Sequence, residues 1–288
     1  MSESPPPPQR RSVDAQGGAA APLRWPLEAL WAQLEPLRPG LTVERLIETD
    51  STNTRLLERA RSGDATPCLL VAERQTAGRG RLGRAWVSDT AVAPGPDGPA
   101  SLTFSLGMAY APADWSGLSL AVGVALAEAL HAGVRLKWPN DLWLVEAGSP
   151  GRKLGGVLIE TVALPDDERR YMVAGVGINL EAPAPHPDIG QPVAGWREFE
   201  AHARAPDLLA RLAGPLLQAV IAFERQGFAA FTSRFAARDA LAGQRVTTSQ
   251  PDLPEGVADG VDGQGALRLL TSAGLRLVSS GEVSVRPC

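Results

Sequence analysis

V-A-E-R-Q-T-A-G-R-G-R-L-G-R-A-W, residues 71–86, joins an apolar run to a loop built of glycines and arginines. Leu69, Leu70, Val71 and Ala72 spell a short buried strand. Gly78, Gly80 and Gly83 then break it, with Arg79, Arg81 and Arg84 threaded between them. Guanidinium groups packed this closely repel one another unless an anion is shared among them. Glycines let backbone N–H groups come close to phosphate oxygens, and arginines add planar, bidentate hydrogen bonds to the same charge. The stretch therefore reads as an anion-binding loop for a phosphorylated or carboxylated ligand. The same repulsion predicts a loop that stays disordered until the anion arrives. Gly78-x-Gly80-x-x-Gly83 also matches the dinucleotide fingerprint, which needs a helix directly after it and an acidic residue about 20 positions on. Residues 91–100, A-V-A-P-G-P-D-G-P-A, cannot supply that helix, and Asp97 sits inside them. They read as a surface loop.

Upstream, residues 1–22 are rich in Pro, Gly, Ala and Gln and read as a disordered tail. Leu27, Leu30, Trp31, Leu34 and Leu37 recur at helical spacing until Pro39-Gly40 stops them. Leu41 to Thr49 reads as a strand, and Ser51, Thr52 and Asn53 can cap a helix ending near Gly63. Capping alone explains these three residues; facing a polar ligand from the helix N-terminus explains them equally.

Downstream, Leu102, Phe104 and Leu106 alternate as a strand, and Leu118 to His131 is an almost wholly apolar helix of the kind that lies against a sheet. Val134, Leu136 and Trp138 alternate again, with Arg135 and Lys137 on the other face. Pro139-Asn140-Asp141 is a turn signal before L-W-L-V. Lys153-Leu154-Gly155-Gly156 leads into V-L-I-E-T-V, where paired glycines mark close approach of a ligand or another backbone. Tyr171 to Leu180 is a further strand carrying Gly175, Gly177 and Asn179. Short turns between these strands predict antiparallel pairing. After a Pro-rich loop holding Trp196, Pro206–Gln226 and Phe228–Leu241 read as two amphipathic helices, and the chain from Gly243 as a small β-barrel of short strands with Gly-rich turns.

Composition narrows the function classes. The 288 residues, 44% hydrophobic, can bury one large core or two unequal ones, and a net charge of −4 offers no global basic field for nucleic acid. Cys68 and Cys288 argue against a disulfide framework and fit a reducing, cytoplasmic setting. His131, His186 and His202 have no metal-ligand spacing, and no Ser–His or Cys–His signal for a covalent nucleophile stands out. No apolar run approaches the ~20 residues of a membrane span, and the N-terminus lacks the apolar core of a signal peptide. Neither DNA nor a membrane is expected as a partner.

D-S-T-N-T (50–54), A-E-R-Q-T-A-G-R-G-R-L-G-R-A-W (72–86), L-K-W-P-N-D-L-W-L (136–144), R-K-L-G-G-V-L-I-E (152–160) and G-V-G-I-N-L (175–180) occur in this order. Together they resemble the biotin protein ligases, the biotin–[acetyl-CoA-carboxylase] ligase family, over roughly residues 42–286. The resemblance implies an α+β fold. A mixed, largely antiparallel sheet with flanking helices, like that of class II synthetases, would form a catalytic domain over 23–241. A small SH3-like β-barrel would follow over 242–288. It also implies a two-step reaction: biotin and Mg-ATP give biotinyl-5′-AMP and pyrophosphate, and the biotinyl group then passes to a lysine of a biotin carboxyl carrier domain. Members that also repress transcription carry an N-terminal winged helix-turn-helix, for which the chain before Leu41 looks too short; a ligase without DNA binding is expected. The family's sheet-edge dimers make a homodimer a further expectation.

Carried over motif by motif, Ser51, Thr52, Asn53, Gln75 and Gly78 belong to biotin binding, and Gly155, Gly156, Gly175 and Gly177 line its slot. Arg79 and Arg81 lie in the loop that closes over biotin and the adenylate, and Arg84 is a further phosphate contact. Lys153 matches the lysine bridging biotin's carboxylate and the α-phosphate, and with Arg81 is the expected catalytic pair. Asn179 and Trp196 face the adenine, Lys137 and Asn140 serve the nucleotide, and Asp141 the magnesium ion. Two rivals stand beside this assignment: a lipoate ligase of related fold, and a non-enzymatic biotin sensor.

Overall fold

The computed structural model describes residues 23–87, 98–146, 151–165, 167–184, 190–250, 252–253, 255–279 and 285–287. The N-terminal tail, most of the 91–100 loop and part of the turn before Arg152 lie outside the described residues.

Seven strands form one sheet: β1 (Thr42–Thr49), β2 (Cys68–Gln75), β3 (Ser101–Tyr110), β4 (Val134–Lys137), β5 (Asp141–Leu144), β6 (Arg152–Leu164) and β7 (Asp167–Asn179). Their order is β1-β2-β3-β7-β6-β5-β4. Only β1 and β2 run parallel, joined by the helix α2 (Thr52–Arg61) as a crossover; every other neighbouring pair is antiparallel. The mixed, largely antiparallel sheet with flanking helices is as expected.

One face of the sheet carries Leu69, Val71, Leu102, Phe104, Leu106, Ala174, Val176 and Ile178 into the main core. That core is closed by α1 (Leu27–Leu34), α3 (Leu118–Leu130) and α4 (Ala205–Gln226). Leu30 and Leu34 face inward, while Trp31 and Leu37 from the same apolar repeat are exposed. Helix α4 is long and apolar enough to cross a membrane, but 61% of its apolar window is buried against the rest of the fold, and it packs as a core helix. The opposite face is covered only in part. Leu56, Leu57 and Ala60 of α2 pack on Cys68, Leu70, Tyr171 and Val173 in a smaller cluster. Beyond the N-terminus of α2 this face is open, and there the site is built.

The segment expected as a second long helix, Phe228–Leu241, departs from that expectation. It is a 3-10 turn (Phe228–Phe231) followed by the short helix α5 (Thr232–Ala236). Phe228, Phe231 and Phe235 are all buried, so the segment turns to seat three rings. The next residues lie along the free edge of β4: Leu136 donates its N–H to Arg238 O at 2.8 Å, and Ala240 donates to Leu136 O at 2.9 Å. Those partners satisfy backbone groups that a continued helix would have satisfied internally.

The C-terminal part is a five-stranded antiparallel sheet: β8 (Arg245–Thr248), β9 (Glu255–Val261), β10 (Leu267–Thr271), β11 (Gly274–Val278) and β12 (Val285–Pro287), in the order β11-β10-β9-β8-β12. It is tied to the larger domain through Trp138, whose buried indole donates to Gly265 O at 3.0 Å.

Candidate active site

Cross-strand register decides what the open face can hold. Asp141 pairs with Gly156, Gly156 with Gly177, and Gly177 with Thr103, so one row runs across β5, β6, β7 and β3. The next row is Leu158, Gly175 and Ser105. Three of the central positions lack side chains, so the floor of the slot is backbone, on which Trp86 packs at Gly177 and Asn53 at Gly175. A Cβ on Gly177 would stand 2.5 Å from Cε2 of Trp86, and one on Gly175 would stand 2.2 Å from Oδ1 of Asn53. The slot belongs to a cavity of about 370 Å³, large enough for a small-molecule substrate.

The glycine–arginine loop forms one wall. It folds back as a hairpin: Arg79 bridges Ala85, Gly80 N–H donates to Arg84 O at 2.8 Å, and Trp86 N–H donates to Gly78 O at 2.9 Å. These backbone bonds define the turn of the loop. Leu82 takes a left-handed conformation (φ 59°) and Gly83 follows at φ 70°, so the turn is tight enough to point Arg81 inward. Arg81 donates to Asn140 Oδ1 at 3.4 Å. Burial lowers the Arg81 pKa, Arg84 adds to this, and Asp141 opposes it. A guanidinium held in this way gains when an anion enters.

At the β4–β5 turn, Asp141 is buried between two ammonium groups: Lys153 Nζ lies 2.7 Å from Oδ1 and Lys137 Nζ 3.6 Å from Oδ2. Burial opposes ionisation of Asp141, yet Lys153 and Lys137 hold its pKa below the usual carboxylate value. Burial pulls Lys137 down, against the attraction of Asp141. Lys137 also lies 5.2 Å over the Trp143 ring. Lys153 is more accessible and faces Trp86 at 5.9 Å. Asn140 is fixed by its own bond to Val157 O at 2.8 Å. From the C-terminal sheet, Arg286 reaches the same cavity and adds positive potential at Lys137.

The far end of the slot is polar and uncharged. Ser51, Thr52 and Asn53 are all buried at the start of α2, and none of them caps it through a side chain. Thr52 N–H instead donates to Gln75 Oε1 at 2.8 Å, and Ser105 Oγ stands 2.7 Å from Thr52 Oγ1 and 2.6 Å from Asn53 Oδ1. Of the two explanations for the D-S-T-N-T segment, facing the cavity is the one the geometry supports.

Residues 46–179 match the Biotin/lipoate A/B protein ligase family and residues 243–286 the Biotin protein ligase C terminal domain. The Biotin--[acetyl-CoA-carboxylase] ligase of Paracoccus denitrificans is 32% identical over 249 residues, covering 83% of this chain and 98% of that protein. The chain belongs to the biotin protein ligase family. The bifunctional ligase/repressor BirA of Escherichia coli (strain K12) is 35% identical over 260 residues, 86% of this chain and 75% of that protein. Among solved structures, a biotin protein ligase from Aquifex aeolicus in complex with biotin and ATP superposes with a TM-score of 0.68 at 27% identity, covering 85% of this chain and 99% of that one.

Most of the residues expected from sequence line the ligase cavity: Ser51, Thr52, Asn53, Gln75, Arg79, Arg81, Arg84, Lys137, Asn140, Asp141, Lys153, Gly156, Gly175, Gly177 and Asn179. Three do not. Trp196 is buried in the main core and stacks on Phe199 with ring centroids 5.7 Å apart, so its indole packs the fold rather than facing the cavity. Gly155 faces the neighbouring strand, where a Cβ would meet Gly177 O at 2.5 Å. Gly78 supports the hairpin, where a Cβ would meet Trp86 O at 2.5 Å.

Magnesium ligation by Asp141 does not fit the arrangement. Both carboxylate oxygens face ammonium groups, Lys153 Nζ on Oδ1 and Lys137 Nζ on Oδ2. Magnesium commonly binds through one or two carboxylates, water and substrate phosphates.

The sequence left Trp86, Thr103, Ser105 and Arg286 unassigned. The first three carried a signal: Trp86 closes the arginine motif, and two hydroxyls alternate with core residues along β3. Arg286 carried none, since only the docking of the C-terminal sheet brings it to the cavity. Arg286→Ala is expected to raise the KM for ATP about tenfold with little change in the KM for biotin, as for loss of one charge-assisted bond. Initial-rate kinetics with each substrate varied in turn check this.

Proposed function

We propose that the protein activates biotin with ATP to biotinyl-5′-AMP and transfers the biotinyl group to one lysine of the biotin carboxyl carrier domain of a carboxylase, with acetyl-CoA carboxylase as the acceptor enzyme. The observation that carries this reading is the position of Lys153: it stands over the glycine-floored slot, at the junction between the uncharged polar end and the cluster of Lys137, Arg81, Arg84 and Arg286.

Biotin's ring lies at the Thr52, Asn53 and Gln75 end, and its valeryl chain passes beside Trp86 toward Gly156. Its carboxylate then reaches Lys153. The nucleotide lies on the arginine side, with Asn179 and Asn140 beside it. Two anions that repel in water are thereby held together, which the cations make affordable only inside a pocket that excludes water. A carboxylate oxygen attacks the α-phosphorus and pyrophosphate leaves. No base is needed, because the nucleophile enters ionised. In the second step the neutral amine of the acceptor lysine attacks the mixed-anhydride carbonyl, AMP leaves, and the surplus proton passes to water. Magnesium enters as part of the Mg-ATP substrate, on the phosphates. ATP, the acceptor and the free, buried thiol of Cys68 all suit a cytoplasmic site of action.

Lipoate fits the polar end less well. Its dithiolane ring has no N–H donor or carbonyl to pair with Thr52, Asn53 and Gln75, and unpaired buried polar groups discriminate strongly. Incubating the protein with Mg-ATP, a carrier domain and either biotin or lipoate, followed by intact-mass spectrometry, is expected to show one added biotinyl group and no lipoyl group. Lipoyl transfer in place of biotinyl transfer would overturn the reading.

A further inference from the structure

Glu160 lies on β6 beyond the cavity lining and is not part of the machinery described above. Its carboxylate accepts from Asn53 Nδ2 at 2.9 Å through Oε2 and pairs with Arg79 Nη2 at 3.1 Å through Oε1. Asn53 Nδ2 also donates to Leu158 O at 3.3 Å. Both of these partners only accept, so the amide nitrogen of Asn53 must face them and its oxygen must face Ser105.

The rest follows by counting protons. Ser105 Oγ lies 2.6 Å from Asn53 Oδ1, and an amide oxygen cannot donate, so the Ser105 proton is spent there. Ser105 Oγ also lies 2.7 Å from Thr52 Oγ1, a distance that requires a proton between the two oxygens. That proton comes from Thr52, whose Oγ1 also lies 3.1 Å from Gln75 Oε1; Ser105 has no proton left to give, so the shorter contact takes it. Thr52 therefore has none left for the cavity, and the oxygen it turns to the slot is an acceptor. Turning the Asn53 amide over would reverse every bond in this chain and make Thr52 a donor toward the slot or Gln75. The chain has two self-consistent directions, and the charged end selects one of them.

We infer that Glu160 is a specificity-determining positioning residue, which fixes the Asn53–Ser105–Thr52 chain in the direction that presents an acceptor to the N–H groups of a cyclic urea. The inference rests on the proposed function for the identity of that ligand. Through Arg79, the same carboxylate also holds the glycine–arginine loop beside the slot.

The test is a double-mutant cycle on biotin binding, measured by calorimetry and by the KM for biotin in ATP–pyrophosphate exchange. Glu160→Gln has nearly the same shape but can donate toward Asn53. It is expected to weaken biotin binding roughly tenfold, with kcat little changed, as for one lost hydrogen bond in the recognition chain. Glu160→Asp, which can only accept, is expected to retain most of the affinity. Ser105→Ala cuts the chain, so in that background Glu160→Gln is expected to cost less than twofold. If Glu160 only anchors Arg79, its effect persists undiminished when Ser105 is absent, and that additive result overturns the inference. Equal losses in the Gln and Asp variants would overturn it as well. Thermal unfolding of each variant separates an unfolded protein from a weakened one, and the Asp variant keeps the test alive should Gln destabilise the chain. Absence of biotin-dependent exchange in the unaltered protein would instead refute the proposed function, a different outcome from either.

Discussion

Lys153→Ala is expected to lower biotin-dependent ATP–pyrophosphate exchange by a factor of roughly 10²–10³, the usual cost of removing one aligned charge or donor from the reacting oxygens. No neighbour can replace it. Lys137 carries the same charge but is buried over Trp143 on the other side of Asp141, and Arg81 is directed toward Asn140. Transfer from preformed biotinyl-5′-AMP to the carrier domain is expected to suffer less, because in that step the carboxylate is already joined to phosphate. Unfolding should change little: Lys153 is partly exposed, and its removal leaves Asp141 paired with Lys137. Exchange within a few-fold of the unaltered protein would remove Lys153 from the reaction.

Asp141→Ala is expected to act on both stability and activity. It leaves the buried ammonium of Lys137 without its counter-charge, and breaking a buried pair by deleting one partner costs about 3–5 kcal/mol. For a chain of this size the corresponding drop in Tm is on the order of 10 °C. Lys153 also loses the carboxylate that aims it into the slot, so exchange activity is expected to fall even at temperatures where the variant is folded. The pH dependence has a definite sign. Asp141 has a folded-state pKa below its unfolded value, so its stabilisation is fully present above the ordinary carboxylate pKa and is lost as pH falls through the lower, folded value. Melting curves recorded from neutral pH downward are expected to show the unaltered protein losing this increment. Asp141→Asn has no such increment to lose, so the two curves approach each other in acid. A constant gap between them at every pH would show that the charge on Asp141 does not stabilise the fold.

How much of the site was legible depends on the residue type. The glycines and cations could be read directly, because glycine in a strand and clustered arginine are both costly without a reason, and the reason proved local. Lys153, Gly156, Gly175, Gly177, Arg79, Arg81 and Arg84 all line one cavity. Trp196 was misread because a large aromatic in a Pro-rich loop looks the same whether it faces a ligand or anchors the loop in the core. Asp141 was placed in the right cavity but given the wrong partner. Its neighbours on the chain do not show that Lys153, on the adjacent strand, is the nearest cation to it.

The sequence by itself determined most of the strand and helix pattern, the largely antiparallel character of the sheet, the glycine floor of the slot and the sign of the charge around it. These depend on periodicity, glycine positions and residue types within a few positions of one another. Only the tertiary structure decided the partners. Cross-strand register set Asp141 beside Gly156 and Gly177 beside Thr103, the docking of the C-terminal sheet brought Arg286 into the cavity, and the packing of α2 against β6 joined Asn53 to Glu160. Hydrogen bonds and ion pairs act over about 3 Å, whereas the residues they join here lie up to 127 positions apart along the chain.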